Sequence, residues 1–68
     1  MTRELANSLR DARTARGWTQ AELAQAVGVS RKTINTVENG VFVPSTTLAL
    51  KLARAFDQPV ETLFRLVE

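Results

Sequence analysis

The sequence predicts an all-α domain of five short helices, and two observations carry that prediction. Apolar residues recur at helical spacing in short segments: Leu5, Leu9 and Ala12 at i, i+4 and i+7, and Leu48, Leu52, Ala55 and Phe56 at i, i+4, i+7 and i+8. The segments are also bounded by residues that start and stop helices, with Thr19, Ser30 and Ser45 as N-caps and Gly17, Gly28 and Gly40 as stops. A chain of 68 residues with 44% hydrophobic content is expected to form one domain, 1–68. A core of this size usually supplies only about 3–5 kcal/mol, which favours tight helix packing and dimerisation as supplements. The absence of cysteine excludes disulfides. The absence of histidine as well argues against zinc, so no metal and no cofactor is expected.

The first helix is predicted over Thr2 to Arg16, with its arginines on the faces away from the Leu5–Leu9–Ala12 stripe and Gly17 as the left-handed residue after it. Trp18 falls between two helices, where an aromatic most often seals the edge of a core. Thr19-Gln-Ala-Glu22 is a capping box opening the second helix, whose inner face is Leu23, Ala24 and Val27. Gly28-Val29-Ser30 turns the chain, Val29 plugging inward and Ser30 capping the next helix. A turn of this length containing Gly between two short helices is the helix-turn-helix signature.

The third helix is predicted over Arg31 to Asn39, stopped by Gly40. Ile34, Val37 and Glu38 cluster on one side, and Lys32, Thr36 and Asn39 on the opposite side, flanked by Thr33 and Asn35. Two apolar residues make a thin inner face, so the other side chains need a different justification: this helix packs with one face and reads a ligand with the other. Glu38 on the inner side requires a partner. After a Val41–Val43 loop and Pro44, a fourth helix follows Ser45, with Leu50 on its far side. Asp57 to Pro59 breaks the chain, and a fifth helix is predicted over Val60 to Val67 with Val60, Leu63, Phe64 and Val67 inward. No sheet is expected.

The formal charge of +2 is unevenly spread. Arg3, Arg10, Arg13, Arg16, Arg31 and Lys32 outnumber Glu4, Asp11 and Glu22 in the first half, a balance that suits a polyanion or simply surface solubility. No apolar run reaches the length of a signal peptide core or a membrane span, so a soluble chain without membrane association is expected. The lack of cysteine fits a reducing cytoplasm.

Gln20 at a helix start, Leu23-Ala24, Gly28-Val29-Ser30, Ile34, Glu38-Asn39-Gly40 and then Pro44-Ser45 together resemble the phage repressor/Cro-type helix-turn-helix domain, the XRE-like family of small bacterial regulators. The resemblance runs from Leu5 to Phe64 and implies the lambda-repressor-like fold. It implies a third helix docked in the major groove of DNA, with the start of the second helix against the phosphate backbone. By position it nominates Ser30, Arg31, Lys32, Thr33, Asn35 and Thr36 to face the groove. Thr19, Gln20 and Asn39 are nominated to meet phosphates, helped by the exposed amides at the start of helix two. It also implies a structural ion pair between Arg13 and Glu38, giving the inward carboxylate its partner. This chain departs from many relatives in having Val41-Phe42-Val43 where basic residues commonly follow Asn-Gly, which implies fewer phosphate contacts from that loop. Asp57-Gln58-Pro59 replaces a commoner Gly-Val-Ser, and with the sequence running to Glu68 no effector, protease or oligomerisation domain is expected.

Val41, Val43, Leu50 and Leu66 are hydrophobes that one core does not obviously use. If they fall together they form a patch, and such a patch marks an interface. The family commonly dimerises through helix five and neighbouring loops on palindromic operators, so these residues are the expected homodimer interface. The competing expectation is that Val41 and Val43 tuck under Phe42 to complete the monomer core. Catalysis is not expected, because histidine, cysteine, tyrosine, a Gly-rich phosphate loop and paired carboxylates are all missing. The function expected is a dimeric, sequence-specific transcriptional regulator binding double-stranded DNA. The alternative is a protein-binding module of the same fold, an antitoxin or antirepressor whose protein partner meets the Val41–Val43 loop and Leu50.

Overall fold

The computed structural model describes residues 4–67. Its helices follow the predicted order: α1 Leu9–Ala15, α2 Gln20–Val27, α3 Arg31–Glu38, α4 Thr46–Phe56 and α5 Val60–Leu63. The local signals act as expected. Thr19 and Glu22 form a reciprocal capping box, Ser30 and Ser45 accept from the amides of Thr33 and Leu48, and Gly28 closes α2 at φ 75°. Leu9, Leu23, Ile34, Leu52 and Phe56 are fully buried at the centre, with Leu63 and Val37 almost so. Val29 and Trp18 pack against this core from the two turns that flank α2. The Trp18 ring lies 5.3 Å from that of Phe56, and the Arg16 guanidinium sits over both rings while donating to the Phe56 carbonyl.

Two corrections concern the ends of the chain. The first helix does not extend back through Leu5, and Thr2 and Arg3 lie outside the described residues. Leu5–Asn7 is instead a strand, β1, and the fifth helix stops at Leu63, where Phe64–Leu66 becomes β2. The strands pair antiparallel with Leu5 opposite Leu66, Ala6 opposite Arg65 and Asn7 opposite Phe64. The ladder is extended by Val67 N–H to the Glu4 carbonyl at 2.8 Å and Ser8 N–H to the Leu63 carbonyl at 2.9 Å. The expectation of no sheet is therefore overturned.

The physical reason is that each terminal segment finds in the other a partner for its backbone groups, which outweighs the local preference for helix. Asn7 makes the change of direction. Its Oδ1 accepts from the Leu9 amide, starting α1, and its Nδ2 donates to the Val37 carbonyl at 2.9 Å, tying β1 to the end of α3. Val67, expected inward, is half exposed because β2 has replaced the helix that would have turned it to the core.

Asp57 ends α4 in the left-handed region, at φ 54°. That conformation strains a residue with a Cβ by roughly 1–2 kcal/mol, and a negative charge there also opposes the helix dipole. Asp57→Gly is expected to stabilise the fold by about 0.5–1 kcal/mol, the gain being reduced by the backbone entropy of glycine. Thermal unfolding checks this, and a lowered Tm would contradict it.

Candidate nucleic-acid interface

Helix α3 buries Ile34 and Val37 and holds its other side chains at or near the surface. Arg31, Lys32, Asn35 and Asn39 are exposed, as the helical spacing predicts. Thr33 and Thr36 are half-buried. Thr36 Oγ1 donates to the Thr33 carbonyl at 2.9 Å, so its hydroxyl is turned back along the helix. The Ser30 hydroxyl serves as the cap of α3 and lies 3.0 Å from Thr33 Oγ1. Lys32 is exposed next to Arg31 in the first turn of α3.

Beneath that surface sits Glu38, with a side chain that has 0% exposure. Arg13 grips it as a fork, Nε donating to Oε2 at 2.7 Å and Nη2 to Oε1 at 3.2 Å. The remaining Arg13 terminal nitrogen donates to the Trp18 carbonyl at 2.9 Å. Gln20, the first residue of α2, adds a bond from Nε2 to Oε1 at 3.2 Å. Burial alone would push the Glu38 carboxyl up. The hydrogen bonds from Arg13 and Gln20 and the charges of Arg13 and Arg10 outweigh it, holding the carboxyl below its usual 4.5. The pair expected between α1 and α3 is thus present, and it also engages α2.

The network continues outward across the surface. Gln20 Nε2 also donates to Asn35 Oδ1 at 3.2 Å, and Arg31 Nη1 lies 3.5 Å from Gln20 Oε1. Asn39 Nδ2 donates to the Asn35 carbonyl and to Asn35 Oδ1, and Arg10 Nη2 donates to Asn39 Oδ1 at 3.0 Å. Three nominated residues on two helices, Gln20, Asn35 and Asn39, are therefore joined directly. Thr19 is exposed at the α2 N-terminus, its hydroxyl accepting from the Glu22 amide at 3.0 Å. The first amides of α2 lack intrahelical carbonyl acceptors, as at any helix N-terminus. Arg10 was not singled out from the sequence, where it is one of several arginines in α1. The signal available was its position one turn before Arg13.

The four surplus hydrophobes are exposed: Val41 80%, Val43 68%, Leu50 58% and Leu66 74%. Val41 and Val43 do not complete the core under Phe42, which is itself 48% exposed, so that expectation is corrected. The amides of Val41 and Phe42 both bond the Thr36 carbonyl, which holds the loop against the end of α3 and its side chains away from the core. Val41, Phe42, Val43 and Leu66 line one groove of about 690 Å³ between the loop and the sheet. Leu50 lines a neighbouring groove that shares Leu5, Pro44 and Phe64 with it.

A profile of the HTH_3 helix-turn-helix family matches residues 9–63. The chain belongs to that family. The HTH-type transcriptional regulator YgzD of Bacillus subtilis is 40% identical over 62 residues, covering 91% of this chain and 94% of the relative. The restriction-modification controller protein C.AhdI from Aeromonas hydrophila superposes with a TM-score of 0.75 at 39% identity, over 79% of this chain and 82% of that one. The antitoxin HipB of Escherichia coli is 35% identical over 54 residues, covering 79% of this chain and 57% of HipB. The architecture fits the lambda-repressor-like fold. The HTH_3 family is one of DNA-binding transcriptional regulators rather than enzymes. Among the described residues no helix is long and apolar enough to cross a membrane.

Removing one partner from a buried ion pair strands the other, at a cost of about 3–5 kcal/mol. Glu38→Ala is expected to lower stability by that order, and an unchanged melting temperature would defeat the assignment. Because the Glu38 pKa is depressed on folding, its contribution is present above about pH 4.5 and is lost as pH falls through the lower folded value. Below about pH 4.5 the wild type should therefore lose more Tm than Glu38→Gln does.

Proposed function

We propose that residues 1–68 form one DNA-binding domain that acts as a dimer on a palindromic operator, with α3 in the major groove. The observation that carries this is the outward face of α3, where Arg31 and Lys32 are exposed and Arg31 lies beside Gln20 at the start of α2. Arg31 is suited to bidentate donation to guanine O6 and N7, a contact that discriminates by about 1–3 kcal/mol. Lys32 supplies a point charge to a base or a phosphate. Thr33 and Thr36 contribute methyl contact and Ser30 shape, since the hydroxyls of Ser30 and Thr36 serve the helix itself. Thr19, Gln20 and Asn39 frame the phosphate side. A duplex-DNA ligand places this work in the cytoplasm.

The dimer reading is supported by the continuity of the exposed hydrophobes. Val41, Val43, Leu50 and Leu66, joined by Phe42, lie around two adjoining grooves, and a second copy covers them by a two-fold contact. Such a dimer presents its recognition helices to successive major grooves about 34 Å apart. A second reading, a protein-binding module, is favoured by the same apolar surface and by the similarity to HipB, which is named an antitoxin.

Selection from a random duplex pool should enrich a palindrome with half-sites about one helical turn apart, bound with steep salt weakening. In that setting Arg31→Ala and Lys32→Ala should relax base preference, whereas no enrichment and weak, salt-insensitive binding would favour the protein-binding reading. Leu66→Glu is expected to reduce the sedimentation mass from dimer to monomer with the fold retained. A wild type that sediments as a monomer at all concentrations would sink the dimer.

A further inference from the structure

The carboxylate of Glu38 dictates which way the side-chain amides on the DNA side are turned. A carboxylate only accepts, so the Gln20 group facing it is the NH2. That same NH2 faces Asn35, which must present its oxygen, and Asn35 Oδ1 in turn faces Nδ2 of Asn39. The Asn39 NH2 also reaches the Asn35 carbonyl. A side-chain amide has two N–H donors, and those of Gln20 and Asn39 have acceptors within the protein. Each amide turns its oxygen toward an arginine, Asn39 to Arg10 at 3.0 Å and Gln20 to Arg31 at 3.5 Å.

A DNA phosphate accepts hydrogen bonds and repels other acceptors, so in this arrangement Gln20 and Asn39 border the phosphate while an arginine supplies the donor. At the α1–α3 edge the donor facing outward is Arg10. Its side chain is 61% exposed, Nε stands 3.7 Å from Glu38, Nη2 holds Asn39, and Nη1 enters neither contact. Charge points the same way. The linked side chains set Arg10, Arg13 and Arg31 against the single carboxylate of Glu38, which Arg13 already engages as a fork. The surplus positive charge lies at the two arginines on the outside.

We propose that Arg10 is a phosphate-binding residue of this interface and that Asn39 is a positioning residue acting through it. Asn39 Oδ1 holds the guanidinium at the C-terminal end of the recognition helix, and Glu38 holds Asn39 through Gln20 and Asn35. The assignment rests on the duplex-DNA reading and extends it to a residue of α1.

The test measures Kd against salt for the enriched duplex and for a random-sequence duplex of equal length. Arg10→Gln should weaken both by a similar factor and reduce the salt slope by about 0.9 for each bound subunit. Arg10→Lys, which keeps the charge, should retain most of that slope. Asn39→Ala should weaken binding in the wild-type background yet add little once Arg10 is already Gln, because residues acting as a unit are non-additive. Thermal melts confirm that each variant is folded. An unchanged slope in Arg10→Gln overturns the Arg10 assignment, and full additivity of Asn39→Ala overturns its positioning role. A wild type with no salt-dependent duplex binding overturns the DNA reading and this assignment with it, which separates the two failures.

Discussion

The buried carboxylate of Glu38 is the constraint on which the arrangement of the outer surface depends. Taking a carboxylate out of water costs several kcal/mol, and only close, well-aligned partners offset it. Arg13 comes from α1 and Gln20 from α2, so satisfying Glu38 brings three helices into one geometry. Helix α3 has particular need of this, since Ile34 and Val37 are its only buried apolar residues. Two apolar side chains hold a short helix against a core but fix its rotation weakly. The fork from Arg13, together with the bond from Asn7 to the Val37 carbonyl, supplies the direction that apolar contact lacks.

That lock has a polar consequence and an apolar one. On the polar side, hydrogen-bond complementarity spreads from the carboxylate through Gln20, Asn35 and Asn39, so the surface presented to a ligand is ordered before the ligand arrives. Preorganisation of this kind lowers the cost of immobilising long side chains on binding. On the apolar side, the end of α3 continues directly into Val41 and Phe42, whose amides are both held by the Thr36 carbonyl. The loop's hydrophobes are thereby fixed outward beside β2. Helix α3 and the apolar groove are joined through the Thr36 carbonyl, so the groove lies at a fixed offset from the outer face of α3.

How much of this was legible in the sequence varies by element. Helices α2, α3 and α4 were plain because their signals are local: a capping box at Thr19, serine caps at Ser30 and Ser45, glycine stops, and apolar stripes that match the buried residues except that Ala53 is buried where Ala55 was expected. The four exposed hydrophobes were identifiable by subtraction, as residues left over once those stripes were assigned. The ion pair was implied by family resemblance and by the awkward inward position of Glu38. Arg10 and Asn7 were not visible, since an exposed arginine and an asparagine near a helix start have many ordinary explanations.

By itself, then, the amino-acid sequence determined where the central helices begin and end, which faces they bury and that α3 must have a second use. These are short-range matters of capping, periodicity and side-chain chemistry. Tertiary structure alone decided the fate of the two ends, where Leu5–Asn7 and Phe64–Leu66 became strands because each satisfies the other's backbone across the whole length of the chain. It alone decided, too, which ends of the Gln20, Asn35 and Asn39 amides face one another. That orientation is propagated from one buried charge through contacts between helices, and no local pattern records it.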